Sequence, residues 1–131
     1  MKNIALFALL SLLSLSACRT QKDFNHIVGA TYDDHGCNSA AGYTWSNALR
    51  QCVRLWEVGE RLESGTKTAF LIFNVDSTLA EIIVDNKSYL CKRNKQEPKL
   101  WCTKDAKHRI SFNNGMKAAF VNGVTYSAEI K

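Results

Sequence analysis

Residues 68–92 read TAFLIFNVDSTLAEIIVDNKSYLCK, and this stretch decides the fold. It holds two apolar runs, Thr68–Asn74 and Leu79–Val84, each too short for a stable helix and rich in β-branched and aromatic residues. Runs of that length bounded by turn residues read as strands. The same texture continues through Ser88–Lys92, Leu100–Thr103, Arg109–Asn113, Lys117–Val121 and Thr125–Ile130. Asp85-Asn86 makes a turn. Asn114-Gly115 and Asn122-Gly123 are type I′ hairpin signals, because both central positions tolerate a positive φ. Short connections between successive strands imply an antiparallel meander.

Upstream the period changes. In residues 43–58, YTWSNALRQCVRLWEV, the apolar positions Leu49, Cys52, Val53 and Trp56 fall at i, i+3, i+4 and i+7. That spacing predicts an amphipathic helix from about Ser46 to Val58, with Thr44 or Ser46 as N-cap and Gly59 as its stop. The expected fold class is therefore α+β: one amphipathic helix with a disulfide-pinned loop, packed on an antiparallel meander of six to seven strands that can curl into a partial barrel. A length of 131 residues with 46% apolar and 22% charged residues fits one globular domain. It excludes a multidomain enzyme, a polytopic membrane protein and a disordered tail.

The N-terminus reads as an address. Lys2 precedes an apolar run from Ile4 to Leu15, shorter than the roughly 20 residues a membrane-spanning helix needs. This is the pattern of a secretory signal, which is removed and takes no part in the fold. It ends Leu15-Ser16-Ala17-Cys18, which resembles the lipobox of bacterial lipoprotein precursors. The resemblance implies cleavage of residues 1–17, lipidation of Cys18 (thioether-linked diacylglycerol plus an acyl chain such as palmitate) and attachment to a membrane. Several acyl chains on one residue anchor a domain durably, at about 0.8 kcal/mol per buried methylene. Arg19 stands where an Asp would favour inner-membrane retention in enterobacterial lipoproteins. The same resemblance thus implies the outer membrane, facing the periplasm, in a two-membrane cell. Residues 18–35 form the lipidated N-terminus and tether, and residues 36–131 the single globular domain.

Five cysteines are present; with Cys18 lipidated, Cys37, Cys52, Cys91 and Cys102 remain. An even number in an exported chain argues for disulfides. Three connectivities are open. Locality favours Cys37–Cys52 and Cys91–Cys102, and pairing Tyr89–Arg93 with Leu100–Lys104 would set Cys91 opposite Cys102. Neither CxxC nor His-x-x-x-His spacing occurs, so no metal is expected. No cofactor fingerprint or catalytic motif is present either.

Two features suggest contacts. The segment from Lys92 to Arg109 carries Lys92, Arg93, Lys95, Lys99, Lys104, Lys107 and Arg109 against Glu97 and Asp105, with Trp101 in its middle. The segment Gly36-Cys37-Asn38-Ser39-Ala40-Ala41-Gly42-Tyr43-Thr44-Trp45 resembles a Cys…Ala-Gly-Tyr-x-Trp…Cys stretch of small exported bacterial proteins, a resemblance that carries no activity. Tyr43 and Trp45 are candidates for an aromatic platform or for a structural lock. The expected function is a lipid-anchored, non-enzymatic envelope domain. Lys92, Arg93, Lys95, Lys99 and Trp101 would contact an anionic lipid, a glycolipid or an envelope protein. Nucleic acid is excluded by compartment. The alternative is an inhibitor of an exogenous hydrolase: lysozyme-inhibiting lipoproteins are similarly exported, disulfide-bonded and mostly antiparallel β. The Ser-Gly-x-x-Tyr stretch of that family is absent, and a net charge of +5 is a poor match to a basic lysozyme.

Overall fold

A computed structural model describes residues 31–128. The signal sequence, the lipobox and Cys18 lie outside these residues. After a 3₁₀ turn at Ser39–Ala41 come β1 (Thr44–Ser46), β2 (Gln51–Val53) and a single helical turn α1 (Leu55–Val58). Eight strands follow: β3 (Glu60–Ser64), β4 (Lys67–Phe73), β5 (Leu79–Val84), β6 (Lys87–Arg93), β7 (Leu100–Cys102), β8 (Arg109–Asn113), β9 (Met116–Val121) and β10 (Val124–Ser127). They form a closed antiparallel barrel in sequence order, with β10 returning to β3, while β1 and β2 make a separate hairpin.

The expected α+β class is thereby corrected: the molecule is an all-β barrel with one four-residue helical turn. The helix foreseen at Ser46–Val58 is a β-hairpin followed by α1. Its turn, residues 47–50, begins as a helix would, with Arg50 N–H donating to the Ser46 carbonyl at 2.8 Å. Arg50 then takes φ +55°, which ends it. Tertiary contacts override helix propensity here. Val53 is buried while Trp56 is 62% exposed, so the inner face expected from the i, i+3, i+4, i+7 pattern does not exist. The Trp56 indole instead lies on Gly42: a Cβ there would sit 2.3 Å from the ring, and φ is +80°. Only glycine meets both demands, which accounts for Gly42 between Ala41 and Tyr43.

Seven of the barrel strands fall close to where the apolar runs place them. The eighth, β3, closes the cylinder between β10 and β4. Its sequence ERLES offers a single apolar residue, Leu62, which is fully buried. The turns Asp85-Asn86, Asn114-Gly115 and Asn122-Gly123 all have two residues at positive φ, as type I′ geometry requires.

An eight-stranded barrel encloses just enough space for side chains to fill it. Leu62, Leu71, Ile82, Cys91, Trp101, Ile110, Val121 and Tyr126 do so here, with Ala69, Ala80 and Ala119 leaving room for the larger rings. Tyr126, Ala119, Ile110 and Trp101 stand side by side across four strands. This is apolar inside, with strands of three to seven residues. A membrane barrel reverses that polarity and needs strands of about 9–11 residues. Among the described residues no helix is long and apolar enough to cross a membrane.

The β1–β2 hairpin packs against the outer wall. Ala48 and Val53, with Leu49 and Leu55, cover Ile72 and Ile83 on the outside of β4 and β5. Between them Glu81 points outward yet is 0% exposed. Its carboxylate accepts hydrogen bonds from the Ser46 hydroxyl (2.6 Å), Asn47 N–H (3.1 Å), Asn47 Nδ2 (3.2 Å), Ala48 N–H (3.2 Å) and the Ser88 hydroxyl. The Cys37–Cys52 disulfide ties the incoming loop to β2, as expected from locality. Closing a 15-position loop is worth about 3 kcal/mol in the chain-entropy model.

The second expected disulfide is absent: Cys91 and Cys102 are free thiols. The register is one residue from the expected pairing, with Cys102 opposite Lys92 and Trp101 opposite Arg93. A one-residue shift in a strand sends each side chain to the other face. Cys91 therefore points into the core and Cys102 outward. The choice follows from magnitudes. Burying a Trp of 150–250 Å² is worth about 4–6 kcal/mol, and a short-loop disulfide about 3 kcal/mol. Trp101 takes the inside. Burial, then the neighbouring Cys102, pushes the Cys91 thiol up to about 12. Two results are expected. Iodoacetamide labelling of the native protein near pH 8, read by peptide mapping, modifies Cys102 and spares Cys91. And because the folded-state value is raised, Cys91 contributes stability that is present below about pH 9 and is lost as pH rises towards about 12. Rapid labelling of Cys91 in the native protein would contradict this placement.

Candidate functional site

The meander sorts the loops to two ends. The connections at residues 74–78, 94–99 and 114–115 share one end, and those at 65–66, 85–86, 103–108 and 122–123 share the other. The basic segment is therefore divided. Lys92, Arg93, Lys95 and Lys99 gather at the first end, while β7 carries the chain through the wall to Lys104, Lys107 and Arg109 at the second. One continuous basic patch from Lys92 to Arg109 does not form.

The 94–99 loop is held by its own hydrogen bonds. Asn94 N–H donates to the Leu100 carbonyl (2.8 Å), and the Asn94 side-chain oxygen accepts from Gln96 N–H (2.8 Å) and Glu97 N–H (3.1 Å). Arg93 Nε donates to the Pro98 carbonyl at 2.8 Å. The cations are thus displayed on an ordered platform, which lowers the entropy lost on contact. Among the described residues, none of Lys92, Arg93, Lys95 and Lys99 makes an ion pair with a carboxylate.

Trp101 is not presented at the surface with them. It is 2% exposed, and its Nε1–H donates to the Ser77 carbonyl at 2.8 Å. It forms the floor beneath the basic rim, with the Arg93 guanidinium 5.3 Å from its ring centroid. Phe73 and Phe112 meet it edge-on at 5.2 and 5.1 Å. Lys117 lies over both phenyl rings, 5.8 and 5.5 Å from their centroids, and pairs with Glu60. Phe73, Arg93, Trp101, Phe112 and Lys117 line a cavity of about 320 Å³ at the barrel mouth, with Lys99 and Pro98 on its lip. A second depression beside it, sharing Arg93 and Pro98, is lined by Leu79, Lys92 and Lys95.

Phe73, Phe112, Lys117 and Glu60 were not candidates from sequence. They lie on β4, β8, β9 and β3, which closure of the barrel brings to one end. The one legible signal is alternation, which puts Phe73 and Phe112 on the same side of the sheet as their inward neighbours Leu71 and Ile110.

Tyr43 and Trp45 sit elsewhere and do not form a joint platform. The Arg54 guanidinium lies 4.6 Å from the Tyr43 ring centroid, and Arg54 Nε also donates to the Ala41 carbonyl at 3.2 Å. The His35 ring stacks on Trp45 at 4.6 Å with an 11° interplanar angle. Each ring therefore has one face taken by an intramolecular partner, and neither lines the cavities at the basic end. They lock the N-terminal loop to the hairpin. Asp33, beside His35, uses a carboxylate oxygen within its own turn, accepting from His35 N–H (2.9 Å) and Cys37 N–H (2.8 Å). At the far end of the barrel, the Thr103 hydroxyl and Lys107 N–H hold the Asp105 carboxyl below its usual range.

No family model, no curated protein and no solved structure matches this chain.

Proposed function

We propose that the protein is a lipid-anchored lipoprotein of the cell envelope, held in a two-membrane cell to the outer membrane and facing the periplasm. Its barrel is a non-enzymatic binding domain, and its basic end contacts an anionic envelope component such as a lipid or glycolipid headgroup. The observation that carries this reading is the ordered end formed by β6 and the 94–99 loop, where Lys92 and Arg93 on the strand and Lys95 and Lys99 on the loop have no intramolecular carboxylate partners among the described residues. The lipobox supplies the proximity to a membrane.

Cations near an anionic bilayer contribute about 1 kcal/mol each. Replacing all four by Gln is expected to weaken binding to phosphatidylglycerol-containing vesicles by about 10²–10³-fold and to flatten its salt dependence. Co-sedimentation of a chain starting at residue 19, across a salt series, measures both. Unchanged binding in the fourfold variant would remove the patch from consideration.

A second reading, inhibition of an exogenous hydrolase such as lysozyme, is favoured by one observation: the domain is a disulfide-bonded antiparallel β structure. Loss of lysozyme activity at equimolar protein would support it, and full activity at a large excess would dismiss it.

A further inference from the structure

The geometry points to the barrel mouth as a site for one molecule of an amphiphilic anion: a phosphate carrying a short alkyl chain. The proposal rests on the reading of the basic end as a binding surface, and it goes further by separating a built cavity from a charged surface.

The charge and the apolar area at the mouth are arranged in depth. Arg93 and Lys99 stand at the lip without carboxylate partners among the described residues. Lys117 is already paired with Glu60, so its charge is committed and it serves as wall, over the Phe73 and Phe112 rings. Below the lip lie three aromatic rings in mutual contact, with Trp101 as floor. A bare inorganic anion would use the lip and leave the exposed parts of Phe73 and Phe112 in water, Trp101 being already buried. A ligand with a hydrocarbon part uses both. The cavity of about 320 Å³ lies at the small end of the range for ligand sites, enough for a head group and a short chain. Barrel mouths are a common place for such sites. The head contacts are two cations of unequal kind. Arg93 presents part of a planar fork suited to phosphate oxygens, while its Nε stays on the Pro98 carbonyl. Lys99 adds a point charge.

The test uses the full chain as the cell processes it, held in zwitterionic nanodiscs, with empty nanodiscs as the blank. Calorimetric titrations with inorganic phosphate, ethyl phosphate, butyl phosphate and hexyl phosphate form one series, and hexanol is the uncharged control. The expected result is saturable binding of one hexyl phosphate per chain, at least tenfold tighter than inorganic phosphate. Affinity should rise by up to about fourfold per added methylene until the cavity is full. Lys99→Gln should weaken hexyl phosphate at least fivefold, whereas Lys104→Gln, at the opposite end of the barrel, should leave it unchanged. Affinity independent of chain length, or hexanol binding as well as hexyl phosphate, would overturn the proposal using the unaltered protein. Vesicle binding that persists alongside either of those results would leave the surface reading standing and refute only the cavity. Competition by phosphatidic acid vesicles would uphold the site with a membrane lipid as its source. Hexyl phosphate binding without such competition would uphold it with a free anion as source.

Discussion

Glu81→Ala lowers the stability of the protein by about 3–5 kcal/mol, more than about 12 °C in melting temperature for a domain of this size. Glu81 is a fully buried carboxylate on the outside of the barrel, accepting from five donors. Burying a charge is costly, and here the cost is offset by matching it with hydrogen bonds from the hairpin and from Ser88. Removing the acceptor strands the backbone N–H groups of Asn47 and Ala48 and the Ser46 hydroxyl beneath the hairpin. Each unsatisfied group costs about 1–3 kcal/mol. Glu81→Gln keeps one acceptor oxygen but turns an NH₂ towards donors, and the Ser46 and Ser88 hydroxyls can rotate to accept from it. Its loss should be smaller than that of Glu81→Ala. Chemical denaturation of both variants checks the order, with hydrogen exchange at Ala48 as a local probe. Wild-type stability in Glu81→Ala would mean that the hairpin is not anchored here.

Trp101→Ala is expected to cost about 3–5 kcal/mol, the range for deleting a buried large aromatic side chain. The indole is 2% exposed, packs edge-on against Phe73 and Phe112, and satisfies its N–H on Ser77. Losing it opens the end of the core directly under the basic rim, so mouth and fold should weaken together. Trp101→Phe retains most of the apolar area and forfeits the hydrogen bond, and should cost less. Urea unfolding separates the two. A near-neutral Trp101→Ala would show the ring to be a surface contact after all, and with it the β6–β7 register would be in error.

Much of the barrel was legible in the chain. The apolar runs from Thr68 onward and the Asn-Gly turns have local causes, and local causes leave marks in sequence. Two features were not legible, for different reasons. Strand β3 pairs on both sides through its backbone while showing only Leu62 as an apolar residue, so periodicity has nothing to detect. The hairpin at Thr44–Val53 does show a helical period, but the Cys37–Cys52 bridge, the left-handed Arg50 and the distant Glu81 determine its shape. None of those is a local preference. The one-residue register difference at Cys91 is a third kind of case. There a disulfide and a buried Trp compete for the same strand, and burial of the indole stabilises more than the bridge would.

The candidate site was half legible. Lys92, Arg93, Lys95 and Lys99 were identified as one basic hairpin, and they do stand together. Lys104, Lys107 and Arg109 are close in sequence but lie at the other end of the barrel. Trp101 lies in the right place and faces inward, as floor and not as contact. Phe73, Phe112 and Lys117 come from three different strands, so only closure of the sheet brings them together.

The central claim is that one end of this barrel, and not the other, meets an anionic component of the envelope. A photo-crosslinking amino acid placed at Lys95, and separately at Thr66 on the opposite end, tests it in living cells. Capture of the crosslinked product and mass spectrometry identify what each end touches. Position 95 is expected to give an abundant adduct to an anionic lipid, a glycolipid or an acidic envelope protein, diminished when Lys92 and Lys99 are replaced by Gln, and position 66 little. Equal adducts from both ends, or an adduct from position 66 alone, would contradict the claim.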